Sequence, residues 1–240
     1  MAQAILGRPV AEDALILGIS GRYEFKNKGI DVFIDAMGQL NRNNGLGKEV
    51  LAFILVPAGH AGANKELLHN LELPYQAVTS TDLYLTHYLN DSANDPVMNR
   101  IRAQKLRNSE EDKVKIFFVP SYLNGDDGVF NMPYYDLLVG MDLTAFPSYY
   151  EPWGYTPLES LAFKVPTITT TLAGFGLWVK EHYNMNHPGI EVIHREDGDA
   201  SNVATAIAEW VKNYTQVGET EMQKDRDNAK DVSRIDFGII

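Results

Sequence analysis

Short apolar runs that alternate with helix-periodic stretches constrain this chain more than any other feature. Residues 14–19 (ALILGI), 50–56 (VLAFILV), 114–119 (VKIFFV), 143–146 (LTAF), 165–170 (VPTITT) and 191–193 (EVI) are apolar or β-branched almost throughout. A run that is apolar at both parities predicts a strand covered on both faces, which in soluble proteins means a parallel sheet between helices. Helical spacing follows most of these runs. Ile30, Phe33, Ile34, Ala36, Met37 and Leu40 share one face until Asn43-Asn44-Gly45, and Val203, Ile207, Trp210 and Val211 share another within 202–214. Further helices are expected at 64–73, 95–107, 134–139, 157–163 and 177–181, with a polar helix-former stretch over 219–240, while 75–88 is ambiguous. Strand and helix in alternation predict an α/β, doubly wound parallel sheet of the Rossmann-like kind. With no internal repeat and no linker, 1–240 reads as one domain.

Composition removes several function classes. Thirty-two acids against 21 bases leave a formal net charge of −11, and no Lys/Arg block could track a phosphate backbone, so no nucleic-acid partner is expected. The chain has no cysteine, and its six histidines lack the His-x-x-x-His spacing of a helical metal site, so no metal is expected. The first residues lack a basic, then apolar, leader pattern and no apolar run is long enough to cross a bilayer. A cytoplasmic protein with no membrane partner is the expectation.

The chemistry concentrates in loops that follow strands. Residues 145–160 (AFPSYYEPWGYTPLES) read as a strand end, a loop rich in Pro, Gly, Tyr and Trp, and a first helical turn near Thr156 and Pro157. Such a junction presents free N–H groups to an anion, and Glu151 and Glu159 bracket it. After the first strand comes Arg22-Tyr23-Glu24-Phe25-Lys26-Asn27-Lys28-Gly29, a basic loop suited to phosphate or, equally, to solvent. His60 lies in a glycine-flanked turn and reads more readily as a surface residue than as a catalytic one. In a doubly wound sheet these loops converge with Tyr134 and the Gly174 loop on one edge. Cations for a diphosphate, N–H groups at Gly154 and Tyr155, an aromatic for a base and acids for sugar hydroxyls match a nucleotide sugar. Neither GxGxxG after the first strand nor GxxxxGK[ST] occurs, so a dinucleotide or P-loop reading has no support.

The pieces SGRYEFKNKGIDVFIDAMGQLN (20–41) and FPSYYEPWGYTPLESLAFKVPTITTTLAGFG (146–176) closely resemble the glycogen synthases of the animal and fungal type. These are retaining glycosyltransferases of the GT-B architecture. The resemblance implies that this chain is the C-terminal, donor-binding domain and that an N-terminal acceptor domain of the same polypeptide is absent from it. It implies UDP-glucose as donor, an α-1,4-glucan as acceptor and no cofactor or metal, and it allows a homo-oligomer of the full-length enzyme. It assigns Arg22 and Lys28 to the donor diphosphate and the departing UDP. Glu151 is placed near the transferred glucose, Glu159 on the ribose hydroxyls, and Trp153, Gly154 and Tyr155 along glucose and phosphate. Tyr134, or Tyr135 if the register slips, stacks on uracil, and Thr156 reaches a phosphate. The family's arginine-rich, glucose 6-phosphate-sensing helix is not matched. EMQKDRDNAKDVSR carries only Lys224, Arg226, Lys230 and Arg234 among acids, so no such control is expected. Open rivals are another GT-B glucosyltransferase using UDP- or ADP-glucose and a noncatalytic sugar-nucleotide-binding module.

Overall fold

A computed structural model of the chain describes residues 1–43, 45–74, 80–183 and 188–234. Part of the expected helix stop (Asn44), residues 75–79 of the ambiguous stretch and the terminal apolar residues 237–240 lie outside them. Six strands form one parallel sheet: β1 (Leu15–Ser20), β2 (Val50–Leu55), β5 (Val114–Val119), β6 (Leu143–Ala145), β7 (Thr167–Thr170) and β8 (Ile190–Ile193). Their spatial order is β5-β2-β1-β6-β7-β8, with parallel pairing at every step.

The apolar runs become two-sided strands for a visible reason. Leu15, Leu17 and Ile19 of β1, Val50, Ala52 and Ile54 of β2, and Val114, Ile116 and Phe118 of β5 face one core. Helices α2 (Ile30–Asn41), α4 (Pro96–Ala103) and α8 (Ala200–Tyr214) cover it. The intervening residues Leu51 and Phe117 face a second core under α1 (Ala2–Leu6) and α3 (Lys65–Leu71). Leu55 and Val119 pack with Leu138 of α5 (Tyr134–Val139). The remaining apolar cluster joins Leu161 of α6 (Tyr155–Ala162), Phe175 and Val179 of α7 (Gly174–His182), and Ala229 and Val232 of α9 (Glu219–Ser233). Period-two alternation thus feeds both helical layers.

Counting only the strands of this sheet, the chain starts at the centre, runs outward over β2 and β5, then returns to β6 and runs outward over β7 and β8. The strand order reverses between β1 and β6, where a doubly wound sheet opens its ligand crevice. The helix after β1 packs in the first core and the helix after β6 in the cluster with α7 and α9, so the two helices that start beside that crevice pack in different clusters.

Several elements differ from the expectation. Residues around His60 form a strand, β3 (His60–Ala63), paired antiparallel with β4 (His87–Leu89). Neither was expected, because three or four residues with glycine and histidine show no periodicity. Helix α4 ends at Ala103 rather than near 107, where Lys105 and Asn108 take positive φ of 59° and 55°. Helix α7 begins at Gly174 rather than 177. A Cβ on Gly174 would lie 2.3 Å from the Pro152 carbonyl oxygen and one on Gly176 2.2 Å from that of Thr170. Those glycines serve close backbone packing, not loop flexibility. Among the described residues no helix is long and apolar enough to cross a membrane.

Candidate functional site at the strand-order reversal

The two loops flanking the crevice are fastened to each other by their backbones. Gly29, the N-cap of α2, adopts φ 67°, and a Cβ there would meet the Pro147 carbonyl oxygen at 1.9 Å. Only glycine fits that contact and that dihedral. The Tyr149 N–H donates to the Asn27 carbonyl at 2.7 Å. These contacts bring Lys28 and Glu151, which are 123 residues apart in sequence, into a direct ammonium–carboxylate ion pair. Both side chains are largely buried, at 13% and 19% exposure. Charges this withdrawn from water interact more strongly than a surface pair.

The Glu151 loop is held from behind as well. Glu151 N–H donates to Leu172 O at 3.2 Å, its carbonyl accepts from Gly174 N–H at 3.1 Å, and Phe175 N–H donates to Trp153 O at 2.6 Å. Gly154, with φ 104°, then turns the chain into α6 and leaves the first N–H groups of that helix without a side-chain cap. A uncapped N-terminus beside the ion pair offers donors and a favourable dipole to an anion.

Next to the pair lies a cavity of about 630 Å³ lined by Ser20, Gly21, Arg22 and Tyr23 at and after the end of β1, Leu55 and Pro57 at and after the end of β2, Ser121, Tyr122 and Leu123 after β5, and Tyr134 and Thr156. Gly21 joins the two features, since a Cβ there would stand 4.0 Å from Lys28 Cδ. Tyr134 is hydrogen-bonded through its hydroxyl to Ser20 Oγ at 2.7 Å. Burial pushes its pKa up to about 12, the nearby Glu159 carboxylate adding to the effect and the Ser20 bond opposing it. Its ring is therefore a fixed, neutral wall. Tyr135 instead stands exposed, stacked on Phe163 at 4.9 Å, and its phenol is raised by burial and by the adjacent Glu159.

Of the residues singled out from sequence, Arg22, Tyr134 and Thr156 line the cavity, and Lys28 and Glu151 adjoin it. The Arg22 guanidinium reaches outward to Glu24 at 3.0 Å, with its side chain 75% exposed. Glu159 sits one turn into α6 beside the tyrosine pair. Tyr155 points to solvent at 68% exposure. The Trp153 ring packs edge-on against Phe175 at 5.9 Å within the α6–α7 apolar cluster. His60 lies outside the cavity lining, its ring edge-on to buried His87 at 4.8 Å, and burial with that neighbour lowers its pKa. Ser20, Pro57, Ser121 and Tyr122 were missed. The position of Ser121-Tyr122 directly after the strand-ending Pro120 was the available signal.

Among the described residues no three metal-ligating side chains cluster. The glycogen synthase family model matches residues 10–82 and 73–236, nearly the whole chain. The chain belongs to the glycogen synthase family. Glycogen [starch] synthase isoform 2 of Saccharomyces cerevisiae is 31% identical over 268 aligned positions, covering 84% of this chain and 38% of its own length. The Neurospora crassa glycogen [starch] synthase is 29% identical, covering 92% and 39%. The liver glycogen [starch] synthase of Rattus norvegicus is 31% identical, covering 71% and 31%. The chain therefore spans well under half the length of these relatives. Among solved structures, that of WaaG, a glycosyltransferase involved in lipopolysaccharide biosynthesis, covers 93% of this chain and 44% of its own, with TM-score 0.49 and 16% identity.

Proposed function

We propose that this chain is the donor-binding half of a retaining GT-B glucosyltransferase that moves glucose from UDP-glucose to the non-reducing end of an α-1,4-glucan. The observation that carries the reading is the Lys28–Glu151 pair at the strand-order reversal, beside a cavity that also takes in Arg22, Tyr134 and Thr156. Membership of the glycogen synthase family supports it. In this reading uracil lies on the Tyr134 ring, the ribose hydroxyls reach Glu159, and the diphosphate lies over the α6 N-terminus between Arg22 and Lys28. Thr156 contributes a hydroxyl to a phosphate oxygen. As the bond from glucose C1 to the diphosphate oxygen breaks, its electron pair stays on that oxygen, while the terminal glucan hydroxyl oxygen bonds to C1 and gives up its proton to the departing UDP. Protein cations stabilise the charge that develops there. Glu151 holds the hexose that is transferred. The glucan and the rest of the catalytic cleft belong to an N-terminal domain of the same polypeptide.

Isothermal titration of this chain with UDP tests the reading. Weak but saturable binding is expected, near a millimolar dissociation constant or about −4 kcal/mol. Chelator should leave it unchanged, because Arg22 and Lys28 supply the positive charge. No heat at millimolar UDP would remove the donor site. Competition between UDP- and ADP-glucose separates the donor bases, and transferase activity after the upstream sequence is restored separates an enzyme from a noncatalytic module.

A further inference from the structure

We propose that Arg195 is the positioning residue that sets the Lys28–Glu151 geometry; the proposal rests on the donor-site reading above. Arg195 follows β8 and is only 5% exposed. Among the described residues no carboxylate oxygen lies within ion-pair distance of it, and its Nε has no hydrogen-bond partner. A buried guanidinium without a paired acid costs stability, so folding alone gives no reason for it.

What the side chain does grip is one carbonyl. Its Nη1 donates to Pro147 O, the same oxygen against which Gly29 is pressed. Its guanidinium carbon lies 5.4 Å from the centre of the Tyr149 ring, and the Tyr149 hydroxyl donates to Asp197 Oδ1 at 2.6 Å. The Arg195 backbone is itself fixed, its N–H donating to Thr171 Oγ1 at 3.0 Å. Asp31, in the first turn of α2 with an unpartnered buried Oδ1, adds an attractive field, as does Asp199. Arg195 thus ties together the chain just after β6, β7 and β8, and Gly29 brings the loop after β1 onto the same carbonyl. Lys28 precedes Gly29 by one residue and Glu151 follows Tyr149 by two. Among the described residues no hydrogen bond or ion pair joins Arg195 to Lys28 or Glu151, so it acts on them through the residue 147–149 backbone.

The test compares Arg195→Met, Arg195→Lys and Arg195→Met in a Lys28→Ala background, all in this chain. UDP affinity and amide hydrogen exchange are the readouts. R195M should weaken UDP binding about tenfold, the scale of one charge-assisted hydrogen bond, and R195K should recover most of that loss. In the K28A background R195M should add nothing, because the geometry it sets no longer matters. Exchange of the Tyr149 amide should speed up about tenfold in R195M while the amides of β1 and β7 keep their protection. Equal loss of UDP affinity in both backgrounds, or unchanged Tyr149 exchange, would overturn the proposal. If R195M does not fold, Tyr149→Ala replaces it with the same expected directions. If the wild-type chain binds no UDP, the donor reading fails, and the exchange comparison still decides whether Arg195 clamps the loop.

Discussion

At the scale of single residues, the ion pair between Lys28 and Glu151 has a consequence for binding. A diphosphate must share the Lys28 ammonium with a carboxylate that already holds it. Glu151→Gln keeps the size of the side chain and removes the competing charge, so its affinity for UDP should rise roughly threefold to tenfold. Lys28→Ala should lower that affinity. UDP-glucose should show no comparable gain with E151Q, since the acid also holds the hexose, and calorimetry with both ligands decides the matter. Gly29→Ala should be among the most damaging substitutions in the chain. It adds a left-handed backbone penalty of about 1–2 kcal/mol to a collision with the Pro147 carbonyl, and a thermal melt will measure the sum. That Lys28 and Glu151 stand in loops after strands, with Tyr134 at a helix start, was legible in sequence because side-chain chemistry and position relative to an element are local properties. The inward turn of the Trp153 ring and the burial of Arg195 were not, since both depend on α7 and β8 packing against a loop far away in sequence.

At the scale of elements, the edge strand β8 carries a built-in pH dependence. Burial raises the Glu191 pKa, and a hydrogen bond from Trp210 offsets only part of it. The folded state therefore binds a proton more tightly than the unfolded one. Its stabilising contribution is complete below the unfolded carboxyl pKa and is lost as pH rises through the folded value. Glu191→Gln should raise the melting temperature near neutral pH and leave it almost unchanged near pH 4, where the native acid is already protonated. An equal shift at both pH values would reject this. The long, two-sided apolar runs were readable as strands because parity and length both spoke for them. The short strands β3 and β4 had no such pattern: they arise from a local antiparallel pairing that buries His87 between Thr86 and the Asp127 carbonyl. The start of α7 was misplaced because two glycines that look like loop residues are the points of closest backbone approach.

At the scale of the whole molecule, the prediction concerns incompleteness and control. This chain should bind UDP yet transfer no glucose to glucan, and supplying the upstream region of the full polypeptide should restore transfer. Three cations in or directly after α9 are engaged with acids rather than gathered into a site. Lys224 meets Glu221 at 3.0 Å, Arg226 meets Asp142 at 2.9 Å and Arg234 meets Asp231 at 3.6 Å. Glucose 6-phosphate should accordingly leave the full-length enzyme's rate unchanged, and a severalfold activation in a titration would refute that.

The sequence by itself determined the fold class, the loops that carry charge and aromatic groups, and the family to which they point, because hydrophobic periodicity and loop chemistry are written in neighbouring residues. Only the tertiary structure decided where the strand order reverses, which loops are pressed together there, and which side chains face the cavity. Those outcomes depend on contacts such as Gly29 on Pro147, Lys28 on Glu151 and Arg195 on Pro147, whose partners stand 48 to 123 residues apart. No local pattern encodes such pairings; packing two helical layers onto one twisted sheet selects them.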